Sequence, residues 1–260
     1  MRTALMAACR AFSALALALG AAAPSAAAVP ALAAETLADD DAKAEFAYLT
    51  EDRRALERLL AELRPLRESE RPAELYLYAH AAFRREQLAF AAHAARQAQV
   101  AGDECLDTLD RREQHGTRDA EGLVLAAGCA GYLAELGGIK HLSAGRRRDA
   151  SLEAARALAP TNPRVLLLSA TVGWFQAATA AERRALRPLC QRSAEAFDTV
   201  VASAPGAPTW GGAEAWLFVG RGLEEDGNLV GARSAYERAL LIAPDFAAAK
   251  RHLARLSGRG

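Results

Sequence analysis

Between residues 213 and 244 the spacing of small, aromatic and turn-forming residues leaves room for little other than two antiparallel helices. Gly220, Ala232 and Ala239 lack bulk where such helices approach closely, and Trp216, Leu223 and Tyr236 fill the space around the crossing. Gly227, followed by Asn228, permits the left-handed cap that stops the first helix. Pro244 disfavours helical geometry in the residue before it and so ends the second helix.

Weaker copies of this pattern lie upstream. Ala73-Glu74-Leu75-Tyr76-Leu77-Tyr78-Ala79-His80, with Phe83, matches residues 213–220 and Leu223 in phase, residues 151–160 parallel 235–244, and residues 197–205 form a third second-helix ending. Four hairpins result, at 72–117, 118–160, 161–205 and 210–244, with a closing helix at 246–256. Pro160, Pro205 and Pro244 are 45 and 39 residues apart, longer than the roughly 34 of a standard helical-hairpin repeat. The extra length is assigned to residues 137–146, rich in glycine and basic residues, and to the segment after Trp174. Ahead of the hairpins, residues 34–41 read as a disordered, acidic lead-in. Residues 42–66 read as one amphipathic helix carrying Phe46, Leu49, Leu56, Leu59, Leu60 and Leu63 on one face. Composition agrees with an all-α chain: 52% of residues are hydrophobic but only 6% aromatic, and alanine and leucine dominate over β-branched residues.

The hairpin at residues 213–244 resembles a tetratricopeptide repeat (TPR), in which an aromatic and a glycine mark the first helix, Gly-Asn or Gly-Asp makes the turn and a proline ends the second. Asp119-Ala120-Glu121, Leu136-Gly137-Gly138, residues 160–165 and residues 210–215 are also similar to a group of uncharacterised exported bacterial proteins with this repeat. Such proteins often carry a glycine-rich turn in the third hairpin, where residues 177–182 here have no glycine. The resemblance implies a right-handed superhelix of about four irregular hairpins over residues 72–260, and it brings no reaction with it. It also implies a concave binding surface lined by first helices. Transferred by repeat phase, that surface comprises Arg84, Arg85, Val124, Tyr132, Arg164, Thr171, Trp174, Arg221 and Glu225, a mixture suited to gripping a peptide carboxylate or an acidic segment.

Residues 1–33 read as a cleaved secretory signal: Arg2 and Arg10 precede an apolar stretch at 11–23, and small-residue triplets at 26–28 and 31–33 come before the first acid, Glu35. The apolar run is short of the roughly 20 residues of a membrane-spanning helix, and Pro24 and Pro30 interrupt the small-residue stretch beyond it. Cys9 precedes that run instead of ending it, which argues against lipidation. Export implies a periplasmic location. Removing residues 1–33 takes two arginines and no acid from a chain of zero formal charge, leaving about −2 and no concentrated basic face for nucleic acid.

Three cysteines remain after the leader. Cys105 would lie midway along the second helix of the first hairpin and Cys129 midway along the antiparallel helix after it, so a disulfide between them is open, beside the alternative of buried thiols acting as small apolar residues. His80, His93, His115, His141 and His252 are isolated, with no His-Glu-x-x-His or Cys/His metal spacing, and serine occurs in no Gly-x-Ser-x-Gly elbow. The reading is therefore a non-enzymatic module without cofactor or metal. It holds a peptide or protein on the concave face, or, as the alternative, serves as accessory subunit or carrier for a small molecule in an envelope transport system. The alternative requires an enclosed apolar cavity between hairpins.

Overall fold

The computed structural model of the protein describes residues 28–137, 142–199 and 208–258. All regular structure among these residues is helical: eleven α-helices and one 3₁₀ turn. No described helix is long and apolar enough to cross a membrane.

The N-terminal part departs from the sequence expectation. Of the leader read at 1–33, residues 1–27 lie outside the described part, and α1 (Ala28–Leu49) runs through the rest of it and through the supposed lead-in at 34–41. The acidic stretch is ordered because its charge has distant partners. Asp41 is buried, with Oδ1 2.7 Å from His80 Nδ1 and Oδ2 accepting from the Thr209 hydroxyl at 2.8 Å. The single helix expected at 42–66 is two. Glu51 adopts φ 59° and Asp52 caps α2 (Arg53–Leu63) by accepting from the Ala55 amide at 2.9 Å, and a 3₁₀ turn (Arg64–Glu68) comes next. A left-handed residue followed by an aspartate N-cap breaks a helix that apolar periodicity alone would carry through. Phe46, placed on the apolar face of that helix, is 58% exposed.

The rest of the chain forms four packed pairs and a last helix. The pairs are α3 (Pro72–Ala91) with α4 (Ala95–Gln114), α5 (Ala120–Glu135) with α6 (Leu142–Leu158), α7 (Pro163–Gln176) with α8 (Ala180–Thr199), and α9 (Gly212–Glu225) with α10 (Leu229–Ile242). Their starts are written locally. Pro72 and Pro163 occupy first turns, where no amide partner is needed. Asp119, Asn162 and Asn228 cap α5, α7 and α10 through their side chains. In the last pair a Cβ at Gly220 would come within 2.3 Å of the Tyr236 ring, so glycine is what lets the two helices meet there. Gly227 has φ 77°, the left-handed turn between them.

The extra length expected after Trp174 is helical, and that expected at 137–146 is only partly described. Residues 138–141 and 200–207, including the helix end read at Pro205, lie outside the described part, while Leu142 to Arg146 open α6. After Trp174 only residues 177–179 separate α7 from α8, and the surplus of that hairpin is carried by α8, which is 20 residues long with Pro188 inside it.

Cys105 on α4 and Cys129 on α5 are joined by a disulfide, Cα–Cα 6.5 Å; a loop of this size contributes about 3 kcal/mol by restricting the unfolded chain. Cys190 is a buried free thiol. The last helix, α11 (Ala247–Ser257), packs on α10 and buries Ala249 and Leu256. It also reaches the start of the fold, where Arg251 donates to both oxygens of Glu51 at 2.8 and 2.6 Å. Other contacts between the two ends of the chain are buried. The Trp210 indole N–H donates to the Tyr76 hydroxyl at 2.9 Å, and Arg84 on α3 meets Glu214 on α9. The fourth hairpin is thereby tied to the first hairpin and to α1.

Candidate functional site

The first helices of the four hairpins converge, together with α1, on one cavity of about 260 Å³. Tyr48 comes from α1, Phe83, Gln87 and Phe90 from α3, Gly128, Gly131 and Tyr132 from α5, Leu168, Thr171 and Phe175 from α7, Trp210 from the preceding loop, and Glu214, Leu217, Phe218 and Arg221 from α9. Helical spacing explains the convergence: Glu214, Leu217, Phe218 and Arg221 occupy a single face of α9, as Leu168, Thr171 and Phe175 do on α7. The opening is marked by Phe175, 54% exposed, and by the exposed Glu135 and Gln176.

Beneath the floor lies a buried polar cluster. Arg84 is fully buried and donates to Glu214 through two nitrogens at 2.7 and 2.9 Å, to Glu45 at 2.8 Å and to Gln87 at 2.7 Å, with the Tyr48 ring 4.0 Å from its guanidinium carbon. A charge out of water is tolerated only when paired and hydrogen-bonded in this way. Burial opposes ionisation of Asp41 and Glu45, but the neighbouring charges win. His80, by charge and hydrogen bond, and Thr209 hold Asp41 down at about 2, and Arg84 with His80 lowers Glu45. Burial likewise opposes the His80 imidazolium, and Asp41 overcomes it to raise His80 above its ordinary value. His80 is completely buried, so the Asp41–His80 pair holds structure together and has no access to a substrate.

The residues assigned from repeat phase separate into three groups. Tyr132, Thr171 and Arg221 line the cavity. Tyr132 accepts from the Gln87 side-chain amide at 3.3 Å, and burial raises its hydroxyl above the ordinary value. Arg84, Val124, Arg164 and Trp174 are core, not groove surface. Arg164 donates to Glu121 at 3.3 Å and to the Pro208 carbonyl, and its guanidinium carbon lies 5.4 Å from the Trp210 ring. Trp174 backs the cavity wall, edge-on to Phe218 at 6.3 Å. Arg85 and Glu225 are occupied elsewhere: Arg85 with Glu104 at 2.5 Å and Glu57 at 3.8 Å, and Glu225 with Arg183 at 3.2 Å. The nine positions are thus not brought together on one exposed face, and Tyr132, Thr171 and Arg221 meet at a cavity walled by aromatic and aliphatic side chains. Repeat phase selects one or two positions per helix. Phe218 and Leu217, three and four residues before Arg221, and Phe175, four after Thr171, are within reach of the same periodicity.

Arg221 differs from the other arginines described at the cavity. Arg84 is paired with Glu214, and Arg148 donates to Asp149 at 2.8 Å. Arg221 stacks against Phe218, Phe175 and Trp174, its guanidinium carbon 5.0, 5.8 and 5.9 Å from the ring centres, and no hydrogen bond or ion pair joins it to a described residue. Burial pulls it below the ordinary guanidinium value. Among the described residues no group of three or more His, Cys, Asp or Glu side chains is placed to hold a metal ion. Comparison with protein-family models, curated proteins and solved structures finds no match to this chain.

Proposed function

We propose that this chain is an exported, TPR-like binding protein that carries a small molecule in the cavity between its hairpins, as an accessory subunit or carrier and without a reaction of its own. The observation that carries this reading is the cavity itself. It is bounded by first helices of all four hairpins and by α1, its walls are largely aromatic and apolar, and a few polar groups converge on it, the usual anatomy of a small-ligand site. The Cys105–Cys129 disulfide supports an oxidising compartment and therefore export.

The test is native mass spectrometry of protein isolated from the cell envelope, beside Gly131→Leu. Among the described residues a Cβ at Gly131 meets Arg148 carbons at 3.6 and 3.9 Å, ordinary contact distances, so leucine there adds bulk at the cavity wall without a backbone clash. A ligand retained by the wild type and absent from Gly131→Leu is expected. No retained ligand, or equal retention by the variant, contradicts the reading. The second reading, a scaffold for a peptide or protein partner, draws on the exposed Phe175 at the opening, beside which a partner's side chain could enter. It predicts that envelope pull-downs recover one protein with the wild type and none with Gly131→Leu.

A further inference from the structure

The composition of the cavity narrows what it would hold. A volume of about 260 Å³ corresponds to on the order of nine water molecules at ~30 Å³ each, the size of an organic molecule of about ten non-hydrogen atoms. Most of the wall asks for an apolar, ring-sized body: Phe83 and Trp210, ring centres 6.1 Å apart, line it with Leu217, and Phe218 lies beside Arg221. The polar groups are unequally satisfied. Glu214 has both oxygens taken by Arg84, and Gln87 is shared between Arg84 and Tyr132. Arg221 alone among the cavity's described arginines keeps its donors without an acidic or carbonyl acceptor, while three aromatic rings lie within 5.0–5.9 Å of its guanidinium carbon. Of the two acids that follow it on α9, Glu224 accepts from the Tyr236 hydroxyl at 2.8 Å, and Glu225, whose charge also acts on Arg221, is engaged by Arg183 through both oxygens at 3.2 Å.

Charge is therefore polarised along the cavity. Glu214 and Arg221 are seven residues apart on one helix, about 10 Å along its axis. The Glu214 end holds the buried acidic cluster of Asp41, Glu45 and Glu214 around Arg84 and His80, and the Arg221 end holds a cation with open donors. An unpaired guanidinium in a partly dehydrated, aromatic setting is the arrangement that gains most from a planar carboxylate, which it can grip through two parallel hydrogen bonds.

We infer that the ligand is a small monocarboxylic acid with an apolar, ring-sized body, its carboxylate on Arg221 and its body against Phe218, Leu217 and Trp210. This rests on the carrier reading and specifies the ligand's chemistry. The acid is a free molecule and not the end of a peptide: Arg221 stacks on Phe175 at the opening, so the rest of the acid must lie within the cavity, whose volume matches about ten non-hydrogen atoms.

Isothermal titration with phenylacetate and with phenylacetamide tests it on the unaltered protein. Phenylacetate is expected to bind with Kd between about 10 µM and 1 mM, and at least about tenfold more tightly than the neutral amide. Arg221→Gln should remove that preference, and Arg221→Lys should keep part of it through its charge. Equal binding of acid and amide, both abolished by Gly131→Leu, overturns the carboxylate assignment while leaving the cavity as the site. Failure of both probes to bind also overturns it, and the native mass measurement then decides the carrier reading separately. If the tripeptide Ala-Ala-Phe binds tenfold more tightly than phenylacetate and loses that binding on C-terminal amidation, the free-acid assignment falls in favour of a peptide terminus.

Discussion

Glu86 shows what a single residue costs the fold. It is completely buried on α3, neither carboxyl oxygen has a hydrogen-bond partner, and burial, with Asp103 adding to it, pushes its carboxyl well above the ordinary value. Glycine at position 102 makes the space: a Cβ there would lie 2.2 Å from Glu86 Oε1. The direction of the shift fixes the sign of the pH effect. The folded state keeps a proton that the unfolded chain gives up above its ordinary value of 4.5, so the penalty is absent in acid and grows as the pH rises from there. Glu86→Met, unbranched and of similar length, should raise unfolding free energy by about 1–3 kcal/mol at pH 8 and by less at pH 4. Urea titrations at the two pH values check this, and an equal effect at both would show that the proton plays no part.

At the scale of elements, α1 is attached through a buried cluster of charges. Asp41 and Glu45 hold it to His80, Arg84 and Thr209, and Tyr48 on the same helix supplies a wall of the cavity. With Asp41 lowered from 3.8 to about 2, its contribution of about 2 kcal/mol is complete above its ordinary value and is lost as the pH falls towards 2. The wild type should therefore lose about 2 kcal/mol more stability than Asp41→Asn between pH 5 and pH 2, measured by denaturant unfolding. Parallel loss in the two proteins would remove Asp41 from the clasp. Sequence patterns mislead on this same element, for a physical reason. Hairpin starts at Pro72, Asp119, Asn162 and Asn228, and the close approach of Gly220 to Tyr236, are decided within a few residues and can be read from spacing. The order in residues 34–41 is decided by His80 and Thr209, the latter 168 residues from Asp41, and local polarity suggests a loose segment. Arg84 repeats the lesson. Its position on α3 marks a first-helix face, but Glu214, 130 residues away, turns an expected surface contact into buried structure.

At the scale of the whole molecule, contacts between the chain's two ends convert a row of hairpins into walls around a shared space. Trp210 to Tyr76, Arg84 to Glu214 and Arg251 to Glu51 draw the fourth hairpin and α11 against α1 and the first hairpin, and the aromatic faces of α3, α5, α7 and α9 then look onto one cavity. Sequence periodicity supplies Tyr132, Thr171 and Arg221 to that cavity; Trp210 and Tyr48 come from segments whose placement depends on these long-range contacts. Outside the cavity, Val230 and Leu241 on α10 are apolar and 83% and 82% exposed, and they serve as the control surface for ligand binding. The most direct test is photolabelling with a diazirine-bearing phenylacetate, with the labelled residues located by peptide mass spectrometry. The cavity account predicts label on Tyr132, Phe218 or their neighbours across α5 and α9, competed by phenylacetate and abolished in Gly131→Leu. Label spread over Val230 and Leu241 of α10, or undiminished in Gly131→Leu, would contradict it.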